Sequence, residues 1–208
     1  MTSEQDIIDR IQTIKEELTD HPENEELLND LGVGYFLIGK YEEAISVLRK
    51  AVKKSNSAQH YFNLGNAYSE NNNQQLAIDS YLQALDIDPN HIGSLNNLAD
   101  EYEHSGDTDK AHELFHYLTN LQPADPLSHF NLGNFFLRQN QHIEAAKCYE
   151  AAIEKDENFI DAYYNISWIL FKAKAYKHGI EYIEKGLTID PSHVDLNKLK
   201  NKLLNANA

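Results

Sequence analysis

Apolar residues in this chain fall three or four positions apart in short blocks, and Gly, Asn, Asp and Pro separate the blocks. That spacing puts apolar side chains on one face of a helix and predicts an all-helical protein without strands. The blocks themselves repeat. Tyr61-Phe-Asn-Leu-Gly-Asn-Ala-Tyr68 returns as His129-Phe-Asn-Leu-Gly-Asn-Phe-Phe136, 68 residues later, which is twice 34. Leu95–Tyr102 and Tyr163–Leu170 continue the series at 34, and Leu28–Tyr35 lies one residue short of it. A fixed period in this range predicts a solenoid, in which each unit buries its apolar face only against its neighbours.

Five units follow from the period, over 24–57, 58–91, 92–125, 126–159 and 160–193. Each holds two helices. The first carries Leu-Gly-x-x-Tyr, with Tyr68 and Phe136 expected in the core. The second carries a small residue followed four positions later by a large one: Ala44 and Leu48, Ala77 and Tyr81, Ala111 and Phe115, Ala145 and Tyr149. Such pairs share a helix face, and the small member lets two helices approach closely. Gly39, Asn72, Gly106 and Asn140 occupy the turn inside each unit, where a helix ends in the left-handed conformation. Asp-Pro-Asn at 88–90, Gln-Pro at 122–123 and Asp-Pro-Ser at 190–192 mark turns between units. The fifth unit has drifted, with Ser167, Leu170 and Gly179 at the pattern positions.

Helices are also predicted outside the units. Residues 4–19 carry Ile7, Ile8, Ile11, Ile14 and Leu18 at helical spacing behind Ser3, an N-cap with Asp6 three residues on. Pro22 closes this N-terminal capping helix (1–23), which reads as the second half of a unit. Residues 194–208 supply a C-terminal capping helix, with Lys198, Lys200 and Lys202 among its leucines.

Leu64, Gly65, Tyr68, Ala77, Tyr81, Ala84 and Pro89, and equally Leu132, Gly133, Phe136, Ala145, Tyr149 and Ala152, make the chain resemble the tetratricopeptide repeat (TPR) family over about residues 25–191. The resemblance implies a right-handed superhelical solenoid of antiparallel helix pairs. It further implies that the first helix of each pair lines a concave groove for peptides or partner proteins. Carried onto this chain, the groove positions are a column of Asn63, Asn97, Asn131 and Asn165, with Asp30 as the equivalent in the first unit. A second column holds Asn66, Asp100, Asn134 and Trp168, and a third holds Phe62, Asn96, Phe130 and Tyr164. Each Asn offers an acceptor and a donor, which matches a peptide unit. The aromatic residues would supply apolar pockets. The other reading is that these asparagines tie one repeat to the next. The family's carboxylate-clamping members need groove cations, and here only Arg138 and Lys172 can be placed there.

Charge narrows the partner. With 18 Lys and Arg against 33 Asp and Glu, the net charge is −15. That disfavours nucleic acid and anionic membranes, which require cations to replace counterions, and favours neutral to basic protein or peptide partners. No apolar run approaches the roughly 18 residues of a membrane span. The acidic first residues do not read as a signal peptide. Cys148 stands alone, so no internal disulfide is possible, and a reducing compartment such as the cytoplasm is expected.

Catalysis has one sequence argument. His112-Glu-Leu-Phe-His116 matches the HExxH zinc motif, in which histidines four apart face one metal. Ala111 and Phe115 interleave with it as core positions, and Thr119 and Gln122 stand where the extended motif has Gly and His. The expectation is therefore no enzyme, no metal and no cofactor. The alternatives to a peptide-binding scaffold are a self-assembling, homo-oligomeric scaffold or an assembly chaperone on a larger complex or organelle surface and, more remotely, a metal-dependent hydrolase.

Overall fold

A computed structural model describes residues 3–53 and 55–206. Met1, Thr2, Lys54, Asn207 and Ala208, which belong to the predicted caps and first repeat, lie outside the described residues. Twelve helices occupy the described residues, with no strand among them. They are α1 (Glu4–Asp20), α2 (Glu25–Leu37), α3 (Tyr41–Ala51), α4 (Ala58–Glu70), α5 (Gln74–Ile87), α6 (Ile92–His104), α7 (Thr108–Leu121), α8 (Pro126–Arg138), α9 (His142–Lys155), α10 (Ile160–Lys172), α11 (Tyr176–Ile189) and α12 (Val194–Ala206). The chain divides into two compact units, one ending at Leu114 and the other beginning at Phe115.

Local chemistry sets the helix ends. Ser3 and Asp6 form a reciprocal capping box on α1, with Asp6 N–H donating to Ser3 Oγ at 3.1 Å and Ser3 N–H to Asp6 Oδ2 at 2.8 Å. These bonds hold the Asp6 carboxyl below its ordinary value. Asn24 caps α2, and Asp125 caps α8 with Pro126 in its first turn. The turns inside the repeats all close alike. Gly39, Asn72, Gly106, Asn140 and Lys174 have φ of 72°, 58°, 85°, 58° and 60°. The next amide in each case bonds a carbonyl five residues back, as in Lys40 N–H to Tyr35 O and Ala175 N–H to Leu170 O, both 2.9 Å. Four of the five positions carry the Gly or Asn that the conformation favours. Lys174 carries neither.

In the unit ending at Leu114, α1 packs on α2, α2 pairs with α3 and α4 with α5, and α6 packs on α5. Ile11, Ile14 and Leu31 fill the α1–α2 layer. Ala44, Leu48, Leu64, Tyr68, Ala77, Tyr81 and Leu98 fill the next. The small-large pairs do what their spacing implied: Ala44, Leu48, Ala77 and Tyr81 are at most 1% exposed. Close approach depends on the glycine opposite. A methyl group on Gly65 would sit 2.5 Å from Tyr81 Cε1.

In the unit from Phe115, α8 pairs with α9 and α10 with α11, and α12 packs on both α10 and α11. Ala145, Tyr149, Ala152, Ala162, Ile166 and Ile169 form one layer of core, and Ile183, Leu196, Leu199 and Leu203 another. Tyr68 is buried, but Phe136 is only half-buried, a departure from the expectation that the two are equivalent. Phe135, 3% exposed, takes the core place that Ala67 holds in the second repeat, and its ring volume leaves Phe136 at the margin. The apparent drift of the fifth repeat also has a packing cause. Gly179, where other repeats have Ala, receives Leu203 of α12, whose Cδ2 lies 2.5 Å from where a Cβ would stand.

Candidate functional site

The first helices of successive repeats lie side by side within each unit: α2 against α4 and α4 against α6, with α10 against α12 in the other. Their common face carries the asparagines. Asn66 and Asn97 meet across α4 and α6, where Asn97 Nδ2 donates to Asn66 Oδ1 at 2.7 Å. The same oxygen accepts from Tyr81 OH at 2.9 Å. The arrangement recurs 68 residues on, where Asn134 Oδ1 accepts from Tyr149 OH at 2.8 Å and from Asn165 Nδ2 at 3.3 Å. Each set joins two helices of one repeat to the first helix of the next. Burial pushes the Tyr81 and Tyr149 hydroxyls well above their ordinary value.

The two sets consume only part of each amide. Among the described residues no bond is recorded for Oδ1 of Asn97 or Asn165, nor for Nδ2 of Asn66 or Asn134. None of these atoms is a sealed, unpartnered one; among the described residues those are Nδ1 of His60 and of His142. Each pair therefore keeps one acceptor and one donor at the surface. Turning both amides over would exchange the roles and leave the same one donor and one acceptor.

Asn63 behaves differently. Its Nδ2 donates to Asn29 Oδ1 at 2.8 Å, and its Oδ1 accepts from Gln59 Nε2 at 2.9 Å. The partner in the first repeat is thus Asn29, 7% exposed, and not Asp30, which is exposed. Asn131 is half-buried on α8.

The four aromatic residues separate into two kinds. Phe62 and Phe130 are half-buried packing groups. Phe62 lies 6.1 Å from the Tyr81 ring and 5.1 Å from His91, and Phe130 lies 5.4 Å from Tyr149 and 5.1 Å from Phe159. Tyr164 and Trp168 instead wall a cleft of about 230 Å³ between α10 and α12, with Phe171, Lys172, Asp195, Lys198, Leu199 and Lys202. Lys172 Nζ sits 5.0 Å from the centre of the Trp168 ring.

Sequence reasoning missed several of these residues. Tyr81 and Tyr149 read as core alone, though a signal for the hydroxyl's role was available. The Tyr–Asn combination, 15 residues apart, occurs in the second and fourth repeats. The other three hold Val33 with Leu48, Asp100 with Phe115 and Trp168 with Ile183. Lys198 and Lys202 read as a polar lid, yet their four-residue spacing already put them on one face of α12.

The HExxH residues lie on α7. Ala111 and Phe115, which interleave with them, are 0% and 2% exposed, and His116 Nδ1 is bonded by Asn120 Nδ2 at 3.0 Å. Among the described residues no group of three or more His, Cys, Asp or Glu side chains is placed to hold a metal ion. Burial, with Glu144 nearby, pushes the Cys148 thiol up to about 11. No helix among the described residues is long and apolar enough to cross a membrane.

Comparison with known proteins agrees on the repeat. Four family models described as tetratricopeptide repeat match the chain, at residues 58–91, 80–113, 126–159, and 25–53 together with 160–193. Human protein O-mannosyl-transferase TMTC3 is 23% identical over 188 residues, which cover 82% of this chain and 20% of that protein. The TPR repeat-containing protein MJ1428 of Methanocaldococcus jannaschii is 27% identical over 167 residues, 79% of this chain and 26% of that protein. The chain thus spans between a fifth and about a quarter of the length of these relatives. A crystal structure of MamA is 29% identical, covers 74% of this chain and 90% of its own, and superposes with a TM-score of 0.67.

Proposed function

The chain belongs to the tetratricopeptide repeat family, and from that premise we propose that it is a non-enzymatic protein-interaction scaffold that holds an extended or partly helical segment of another protein against the face formed by its first helices. The observation that carries the reading is the pair of Tyr–Asn–Asn sets, each leaving one amide donor and one acceptor outward on adjacent first helices. An extended peptide presents its own N–H and C=O groups at regular intervals, so paired donors and acceptors suit its backbone and demand little of its sequence. In this reading Asn66, Asn97, Asn134 and Asn165 contact the peptide directly. In the unit ending at Leu114, Asn63 extends the pair and the edge of Phe62 flanks it; in the unit from Phe115, Asn131 and the edge of Phe130 do the same, with Tyr164 and Trp168 at the end. Eight Lys and Arg against 22 Asp and Glu up to Leu114 favour a neutral to basic segment on that unit. The transferase name of the human relative does not carry over, since the match covers only 20% of that protein.

The test separates the two jobs of the amides. A peptide selected from a displayed library of random dodecapeptides is titrated into wild type, Asn97→Ala, Asn165→Ala and Tyr81→Phe, and each protein's stability is measured in urea. Tyr81→Phe removes a structural hydrogen bond but no outward group, so it should lose about 1 kcal/mol of stability and keep its affinity. Asn97→Ala and Asn165→Ala should lose both stability and about 1–3 kcal/mol of binding. Loss of stability without loss of affinity in the Asn variants would make the sets purely structural and end the proposal.

A further inference from the structure

We infer that the cleft between α10 and α12 is a docking site for an acidic peptide segment that carries one large apolar side chain. This inference rests on the cleft's own lining, which shares Tyr164 and Trp168 with the proposed peptide-binding face, and not on the amide pairs.

Its floor is apolar: Tyr164, Trp168 and Phe171 from α10, and Leu199 from α12. Its rim is cationic: Lys172 from α10, and Lys198 and Lys202 one helical turn apart on α12. Asp195 is the one carboxylate among the lining residues, and it is already bonded to Lys198 at 3.2 Å. Lys172 and Lys202 have no carboxylate partner among the described residues. Their environment is unusual for this chain. From Lys172 to the end there are seven Lys against four Asp and Glu, whereas the whole chain carries −15. Unpaired ammonium groups beside aromatic rings favour an incoming anion, and the rings require that part of the ligand be apolar.

The size of the cleft selects the ligand further. About 230 Å³ lies below the usual range for a small-molecule site and suits a single inserted side chain. The site is also formed in advance. Leu196, Leu199 and Leu203 anchor α12 in a core with Ile183, against which Tyr164, Trp168 and Phe171 pack. Little ordering of the protein is then needed on binding.

The chain's one tryptophan is Trp168, so its fluorescence reports this cleft alone. The probe is the capped peptide acetyl-Glu-Glu-Phe-Glu-Glu-amide, which has no free terminal carboxylate. The comparison peptides are the same sequence with Gln for Glu, and with Gly for Phe. The acidic Phe peptide should shift Trp168 emission saturably, and the effect should weaken as NaCl is raised. The Gln and Gly versions should each bind about tenfold or more weakly. Lys198→Glu combined with Lys202→Glu should cost a similar factor. Both side chains are exposed, and circular dichroism with a thermal scan verifies that the variant is folded. Lys202→Gln, a milder change, provides a second reading should the double variant be unstable. Equal binding of the Gln peptide, or no saturable change with the acidic one, overturns the assignment. So does a Trp168 shift that grows with protein concentration alone, because that would give the cleft to a second copy of this chain.

Discussion

At the scale of single residues, the turns show how strongly backbone geometry constrains side-chain identity. Five residues adopt the same left-handed conformation, and four of them are Gly or Asn. Lys174 adopts it with a φ of 60° although its Cβ crowds the following carbonyl. The surrounding turn compels it, through Lys174 N–H to Phe171 O at 3.1 Å and Ala175 N–H to Leu170 O at 2.9 Å. Lys174→Gly should therefore stabilise the protein by about 0.5–1 kcal/mol, the gain in the native turn exceeding the extra freedom of the unfolded chain. Urea denaturation would show a higher midpoint with an unchanged slope, and a lower midpoint would mean that Lys174 is not strained. Glu101 is the converse case. It is 9% exposed in a column otherwise held by Gly34, Ala67, Phe135 and Ile169, and it is tolerated because Ser69 Oγ donates to its carboxylate in a short hydrogen bond.

At the scale of elements, adjacent repeats are joined by apolar layers and by the Tyr–Asn–Asn sets together. The hydroxyls of Tyr81 and Tyr149 have two consequences for pH. Burial raises their pKa above the ordinary 10.0, so the folded protein keeps two protons that the unfolded chain begins to release near that value. Unfolding then releases protons, and stability, fully present below about pH 10, must fall as the pH climbs through and beyond it. Thermal scans from pH 8 to 11 should show a declining midpoint. Tyr81→Phe combined with Tyr149→Phe should flatten that decline while lowering the midpoint at pH 8. The third repeat already carries Phe115 at this position, so the ring alone is compatible with the fold. An unchanged alkaline slope in the double variant would remove these hydroxyls as its cause.

For the whole molecule, charge is distributed unevenly along the chain. Up to Leu114 there are eight Lys and Arg against 22 Asp and Glu, and from Phe115 on there are ten against eleven. Like charges at this density oppose the compact state, and salt screens them. The midpoint of thermal unfolding at neutral pH should rise between low salt and about 0.3 M NaCl, where the screening length falls below roughly 6 Å. Arginine- or lysine-rich ligands should stabilise the protein at low salt for the same reason. A midpoint insensitive to NaCl would show that the acidic surface is too dispersed to oppose folding.

The sequence by itself determined the helices, the period, the turn positions, the small-large pairing and the capping box of α1. These depend on spacing within a helix or on bonds across a few residues, which the order of residues specifies directly. It also placed the asparagines and aromatic residues in columns. Only the tertiary structure decided what each column member touches. Asn63 reaches Asn29 and not Asp30, Asn97 and Asn165 reach back to the second column of the preceding repeat, and Phe62 and Phe130 turn into the layer between repeats. Lys198 and Lys202 join Trp168 only because α12 folds back across α10. Such contacts depend on the offset and rotation of one helix against another, which follow from the volumes of all the side chains between them and not from the pattern of any one helix.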